Sequence, residues 1–183
     1  MEFVKSLKQT KIIKYIFIAL LGSILLAISS KVKLPFYPVP MTMQTFVVLF
    51  IGIAFGWKLG VATVCLYLFE GIIGLPVFSG TPEKGLGIVY FTGPTMGYLI
   101  GFVVTVYLAG KFNYDNNFIK NFLKLVLATS FIYILGILWL GGLIGWDKPI
   151  FKLGAQPFLL AELFKILIAT LAAVKIIKFR NIL

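Results

Sequence analysis

Three stretches of this chain, 34–57, 85–110 and 125–146, contain no charged side chain at all. A hydrocarbon layer about 30 Å thick is crossed by about 20 helical residues, so each stretch is long enough to span it. In water such runs would have to be buried completely, and a chain that is 60% hydrophobic and 13% charged has too little polar surface to cover them. A mean hydropathy of +1.03 agrees. The chain reads as an integral membrane protein.

The spans expected from the pattern are 12–30, 42–57, 59–75, 93–110, 119–143 and 156–177, a single domain covering 1–183. The fold class is an all-α bundle of six transmembrane helices. The first span is not read as a cleaved signal peptide, because its apolar part continues past Leu26 without a small-residue cleavage pattern. Six spans put both termini on one side. With the termini in the cytoplasm, eleven lysines and arginines fall on that face (Lys5, Lys8, Lys11, Lys14, Lys58, Lys111, Lys120, Lys124, Lys175, Lys178, Arg180) and five on the other (Lys31, Lys33, Lys84, Lys148, Lys152). Positive charge collects in cytoplasmic segments, so both termini are expected on the cytoplasmic side. The connections on the outer side are rich in proline, glycine and aromatic residues, as lids and binding loops are. A ligand pocket is expected there, in the outer half of the bundle.

Several function classes are excluded by what is missing. A net charge of +11 suggests nucleic acid, but the lysines stand at the ends of apolar spans rather than on one polar face. Without histidine, and with Cys65 as the single cysteine, no zinc site, serine triad or histidine relay can be assembled. Cys65 is expected as a small packed core residue. No GxxxxGK[ST] stretch occurs, so the chain has no ATP site and no cofactor is expected. Any energy the chain uses comes from a gradient or a partner.

Inside the last span, "PFLLAELFKILIATLAAV" (157–174) carries two charges, Glu162 and Lys165. Pro157 suits a helix start, and at 1.5 Å per residue the pair lies about 6 and 10 Å below the outer end. Spacing i, i+3 sets both on one face. An internal salt bridge and a proton-coupling site are both open readings, but an acceptor beside a donor under aromatic loops is best suited to a small polar ligand. Glu70, near the outer end of the third span, is either a polar neighbour of that ligand or a partner for an outer lysine. Ala19, Ser23 and Ala27, four apart, form a stripe that lets another helix approach, from this chain or from another protein. The glycines at 52, 56 and 60, and at 97 and 101, have the same spacing and are expected to pack within the chain.

Taken together, "LPFYPVPMTMQTFVVLFIG" (34–52), "GIIGLPVFSG" (71–80), "GPTMGYLIGF" (93–102) and "PFLLAELFK" (157–165) resemble the BioY family, the biotin-binding S components of energy-coupling-factor (ECF) vitamin transporters. The resemblance implies a six-helix protein that captures biotin from outside and delivers it through a transmembrane T component and two ABC-type ATPases. In the family the sixth span carries an acidic residue and a lysine that contact biotin, in a pattern read as PFLPGDLLK. Here Glu162 stands in place of the aspartate, Leu160 and Ala161 replace proline and glycine, and Lys165 matches. Tyr98 and Ser79 fall on further contact positions. Gln44 either contacts ligand or holds the first outer loop. The stripe Ala19, Ser23, Ala27 resembles the face that S components turn toward the T component.

The chemistry of biotin suits these residues. Its ureido ring has two N–H donors and one carbonyl, which a carboxylate and an ammonium can meet. Phe36, Tyr37, Phe78 and Phe91 are candidate apolar walls, and Lys31 or Lys33 can attract the carboxylate tail. A reversed pose, with Lys165 on that carboxylate, is also open. The competing readings are an S component for another vitamin and a self-sufficient secondary carrier for biotin. An intramembrane enzyme is set aside for want of a nucleophile and base.

Overall fold

The computed structural model describes residues 2–34, 39 and 41–181. Helix α1 (Glu2–Lys31) leads into a two-stranded antiparallel ribbon, β1 (Lys33–Leu34) paired with β2 (Met41–Thr42). Then follow α2 (Gln44–Ile72), α3 (Met96–Lys111), α4 (Phe118–Ile144), the short α5 (Ile150–Gly154) and α6 (Leu159–Ile176). Short 3-10 turns stand at Gly87–Thr92, Gln156–Phe158 and Ile177–Asn181. Over Ile12–Lys31, and in α2 and α4, the helices are long and apolar enough to cross a membrane, while α3 is a shorter apolar helix.

The apolar length of α2 is folded in two. Gly56 has φ 73° and ψ 175°, a conformation that a residue with a Cβ rarely adopts. The Gln44 amide donates to the Tyr67 hydroxyl at 2.6 Å, although 23 residues of straight helix would separate them by about 34 Å. The two arms, 44–55 and 57–72, therefore run antiparallel and correspond to the expected spans 42–57 and 59–75.

Glycine sets how closely the helices approach. A Cβ at Gly101 would lie 2.5 Å from the Ile132 Cα of α4, and one at Gly52 would lie 2.8 Å from the Ala109 Cβ of α3. Gly52, Gly60, Gly97 and Gly101 pack within the chain, as their spacing suggested, whereas Gly56 makes the turn of α2 instead. The α1 stripe also packs within the chain: Ala19 and Ser23 are buried, Ala27 partly so, and a Cβ on the neighbouring Gly22 would meet Thr63 of α2. Ser23 Oγ donates to Glu70 Oε1 at 2.8 Å across the same contact.

The interior divides into two apolar clusters. One, beneath the ribbon, gathers Tyr67, Phe78, Tyr90, Phe102 and Ile132; the other, toward the far end, gathers Leu49, Ile53, Ala109, Leu125 and Ala169. Arg180 closes that far end, donating to the carbonyls of Gly52, Ile53, Ala109 and Phe112 where the first arm of α2 and helix α3 run out. The outer faces are apolar, with Ile13, Ile119 and Leu171 each about two-thirds exposed. Cys65, expected in the packed core, is exposed on α2. In a bilayer an outward thiol still meets an apolar medium, so burial within the protein is not required of it.

Candidate functional site

Glu162 and Lys165 project from the first two turns of α6 toward the N-terminal end of α2, and both are buried, at 4% and 6% exposure. They form the sole ion pair among the described residues, with Lys165 Nζ 2.6 Å from Glu162 Oε1. Thr45, on the first turn of α2, is inserted between them. Its hydroxyl donates to Glu162 Oε1 at 2.7 Å and accepts from Lys165 Nζ at 3.0 Å. Lys165 also donates to the Thr42 carbonyl of β2 at 2.6 Å.

An ammonium has three protons, and here all three are engaged, by Glu162, Thr45 and Thr42. The carboxylate is different. Oε1 accepts from both Thr45 and Lys165, whereas Oε2 is buried with no hydrogen-bond partner. The Tyr133 hydroxyl is a side-chain hydrogen-bond neighbour of this carboxylate, although its geometry does not satisfy Oε2. Leaving a buried oxygen unpaired costs about 1–3 kcal/mol, more for a charged group, so the geometry keeps an acceptor in reserve.

Glu162 lines a cavity of about 60 Å³ together with Gln44, Thr45, Phe78, Ser79, Tyr90, Tyr98, Tyr133 and Phe158, with Met41 of the ribbon also at its wall. Lys165 is not on the wall. Ser79 is: it is 4% exposed, and its Oγ likewise has no partner. The Tyr90 hydroxyl fixes the Ser79 carbonyl at 2.8 Å, leaving the side chain unengaged. Unpaired buried groups are uncommon in native proteins. Of the three residues that carry one among those described, Ser79 and Glu162 line this cavity, and Glu162 and Thr129 line a second one between α4 and α6.

The remaining walls are aromatic and apolar. Phe78 stacks on Tyr90 with ring centroids 4.7 Å apart and meets Tyr67 and Phe91 edge-on. Phe91 thus backs the wall without forming it. Tyr98 contributes its ring, since its hydroxyl is spent on the Gly154 carbonyl at 2.8 Å. Gln44 lines the cavity while its amide anchors Tyr67, whose hydroxyl in turn donates to the Val77 carbonyl at 3.0 Å. Phe36 and Tyr37 lie outside the described residues.

The loop carrying Phe78 and Ser79 is held from α1. Ser30 Oγ donates to the Val77 carbonyl, and Lys31 Nζ donates to the Phe78 carbonyl and to both oxygens of Thr81. Lys31, expected as a free attractor for a ligand carboxylate, is therefore committed to positioning this loop. Lys33 stays exposed. Burial first, and the Lys33 ammonium second, push the Lys84 ammonium below its ordinary range, so these two cations are neighbours.

The sequence reading missed Thr45, Tyr90, Tyr133 and Phe158. Thr45 was within reach of it, standing next to Gln44 in the same motif. Nothing local to Tyr133 or Phe158 distinguishes them from other apolar-span aromatics.

A family model described as the BioY family matches residues 4–181. The chain belongs to the BioY family. Among BioY proteins it is 32% identical over 149 residues to the probable biotin transporter BioY of Pyrococcus horikoshii, covering 81% of this chain and 87% of that one. It is 31% identical over 155 residues to the biotin transporter BioY of Thermotoga maritima, covering 84% and 90%. The crystal structure of an S-component for biotin from an ECF-type ABC transporter matches with a TM-score of 0.77 at 22% identity, over 92% of this chain and 93% of the other. That likeness establishes a shared fold. The helical bundle, the hairpin in α2 and the cavity are thus read on a BioY chain.

Proposed function

We propose that this BioY chain is the biotin-binding subunit of an ECF-type transporter, capturing biotin at the outer side of the cytoplasmic membrane of a prokaryote. The observation that carries the reading is the pair of unpartnered polar atoms carried by residues of one cavity wall, Glu162 Oε2 and Ser79 Oγ. A ureido ring carries donors and an acceptor back to back. One N–H donates to Glu162 Oε2, a charge-assisted bond, and the ring carbonyl accepts from the Ser79 hydroxyl. Phe78, Tyr98 and Phe158 enclose the apolar remainder. Lys165 acts through Glu162: it engages Oε1 and so leaves the second oxygen for the ligand. The valerate carboxylate lies toward the cations Lys33 and Lys84.

Membrane topology belongs to the same proposal. Helix α1, the two arms of α2, and α3, α4 and α6 make six crossings with both termini cytoplasmic, as the eleven-to-five distribution of positive residues favours. The chain has no ATP-binding motif, so a T component and two ABC-type ATPases supply the work. Contact with the T component through Ala19, Ser23 and Ala27 requires α1 to part from α2 during transport, because α2 covers Ala19 and Ser23.

Isothermal titration of the purified chain with biotin, thiamine and riboflavin tests the assignment. Biotin is expected to bind at submicromolar concentration and the other two vitamins not at all. A chain that is folded yet silent to micromolar biotin overturns it.

A further inference from the structure

At the end of the bundle remote from the biotin site, a groove of about 550 Å³ runs between α1 and the turn of the α2 hairpin. Phe55, Leu59 and Ala62 form its apolar wall, Tyr15 and Trp57 stand at its edges, and Lys58 and Arg180 supply its charge. Gly56 adds no side chain; a Cβ there would lie 3.8 Å from Arg180 Nε, so the guanidinium borders open space.

Among the described residues no carboxylate compensates the charge here. Arg180 spends its donors on backbone carbonyls, which do not neutralise it. Lys58 and Lys111 both sit over the Trp57 ring, at 5.5 and 5.8 Å, which orients the ammoniums but leaves them positive. No carboxylate pairs with any of these three, since Glu162–Lys165 is the sole ion pair among the described residues. Tyr15 and Trp57 are each about two-fifths exposed, and amphipathic rings of this kind mark the level of lipid headgroups.

We propose that this groove binds an anionic phospholipid, its phosphodiester between Lys58 and Arg180 and one acyl chain along Phe55, Leu59 and Ala62. Basic clefts between membrane helices recognise lipid phosphates in this way; Lys58 supplies the donors, while Arg180, four of whose five N–H groups are held by carbonyls, contributes its charge. The combination favours a lipid over a free anion, because the apolar wall is continuous with the charged rim. A soluble phosphate would leave that wall empty.

Native mass spectrometry of the chain, equilibrated with equal amounts of phosphatidylglycerol and phosphatidylcholine, reads the lipid retained. One phosphatidylglycerol per chain is expected, surviving excess inorganic phosphate. Lys58→Glu exchanges an attracting charge for a repelling one and is expected to weaken retention about tenfold or more. Ala62→Trp fills the groove without altering charge and is expected to do the same. Both positions are exposed and distant from the cavity, so biotin titration should be unchanged and certifies folding. Equal retention of both lipids, full retention by the two variants, or displacement by inorganic phosphate would each overturn the proposal.

Discussion

Two carboxylates lie within the apolar part of this protein, and they are solved differently. Glu162 is 4% exposed and clamped on one oxygen by an ammonium and a hydroxyl, with its second oxygen unpaired. Glu70 is half-buried, accepts from Ser23, and has no salt-bridge partner among the described residues. The difference teaches what a buried cation is for. Fixing a charge inside a membrane protein costs several kcal/mol, and a partner that removes most of that cost leaves the carboxylate oriented and available. Glu70 needs no such partner because it reaches the edge of the bundle, and it ties two helices together instead.

The comparison breaks most readily at Lys165. Lys165→Met strands a buried carboxylate and is expected to cost about 3–5 kcal/mol of stability along with biotin binding. The double variant Glu162→Gln/Lys165→Met should regain much of the stability and none of the affinity, which detergent-solubilised melting and titration would read separately. If stability stays low in the double variant, the two side chains do not act as one unit. Next comes Glu162→Gln alone, which replaces a charge-assisted acceptor with a neutral one. A loss of about 1.5–3 kcal/mol, roughly ten- to a hundredfold in affinity, is expected with the fold retained. Ser79→Ala removes one neutral hydrogen bond and should weaken biotin about three- to tenfold in the same titration. Lys33→Gln and Lys84→Gln should each slow association severalfold at low salt and very little at high salt, as exposed rim charges do. Smallest is Glu70→Gln: biotin affinity should be unchanged and the melting temperature lower by a few degrees at most, reflecting one neutralised hydrogen bond.

Much of this architecture was legible in the residues, and the boundary of legibility is physical. Apolar runs are local, so the helical segments could be placed from them, including the break near Gly56 that folds α2 into a hairpin. The placement of Glu162 and Lys165 on one face follows from helix geometry alone. What opposes them does not: Thr42 and Thr45 come from a segment more than a hundred residues away, and only their arrival reveals that the lysine is saturated and the glutamate is not. Lys31 shows the same limit, since a cation at a helix end looks free until a distant loop folds over it. The spacing of Ala19, Ser23 and Ala27 describes a face that accepts a close neighbour without saying which. The packing of α2 against Ala19 and Ser23 shows one such neighbour.

The hairpin at Gly56 bears on the bilayer itself. Its first arm, 44–55, rises only about 18 Å, against a hydrocarbon thickness of about 30 Å. With the turn held at one headgroup layer by Trp57 and its flanking lysines, the arm ends well short of the opposite layer, and the cavity it begins lies sunk below the surrounding lipid surface. Such a mismatch is relieved by thinning the lipid nearby or by letting water fill the depression. In the proposed topology a ligand meets this recess at the bottom of a shallow well, and membranes of different thickness should change how deep that well is.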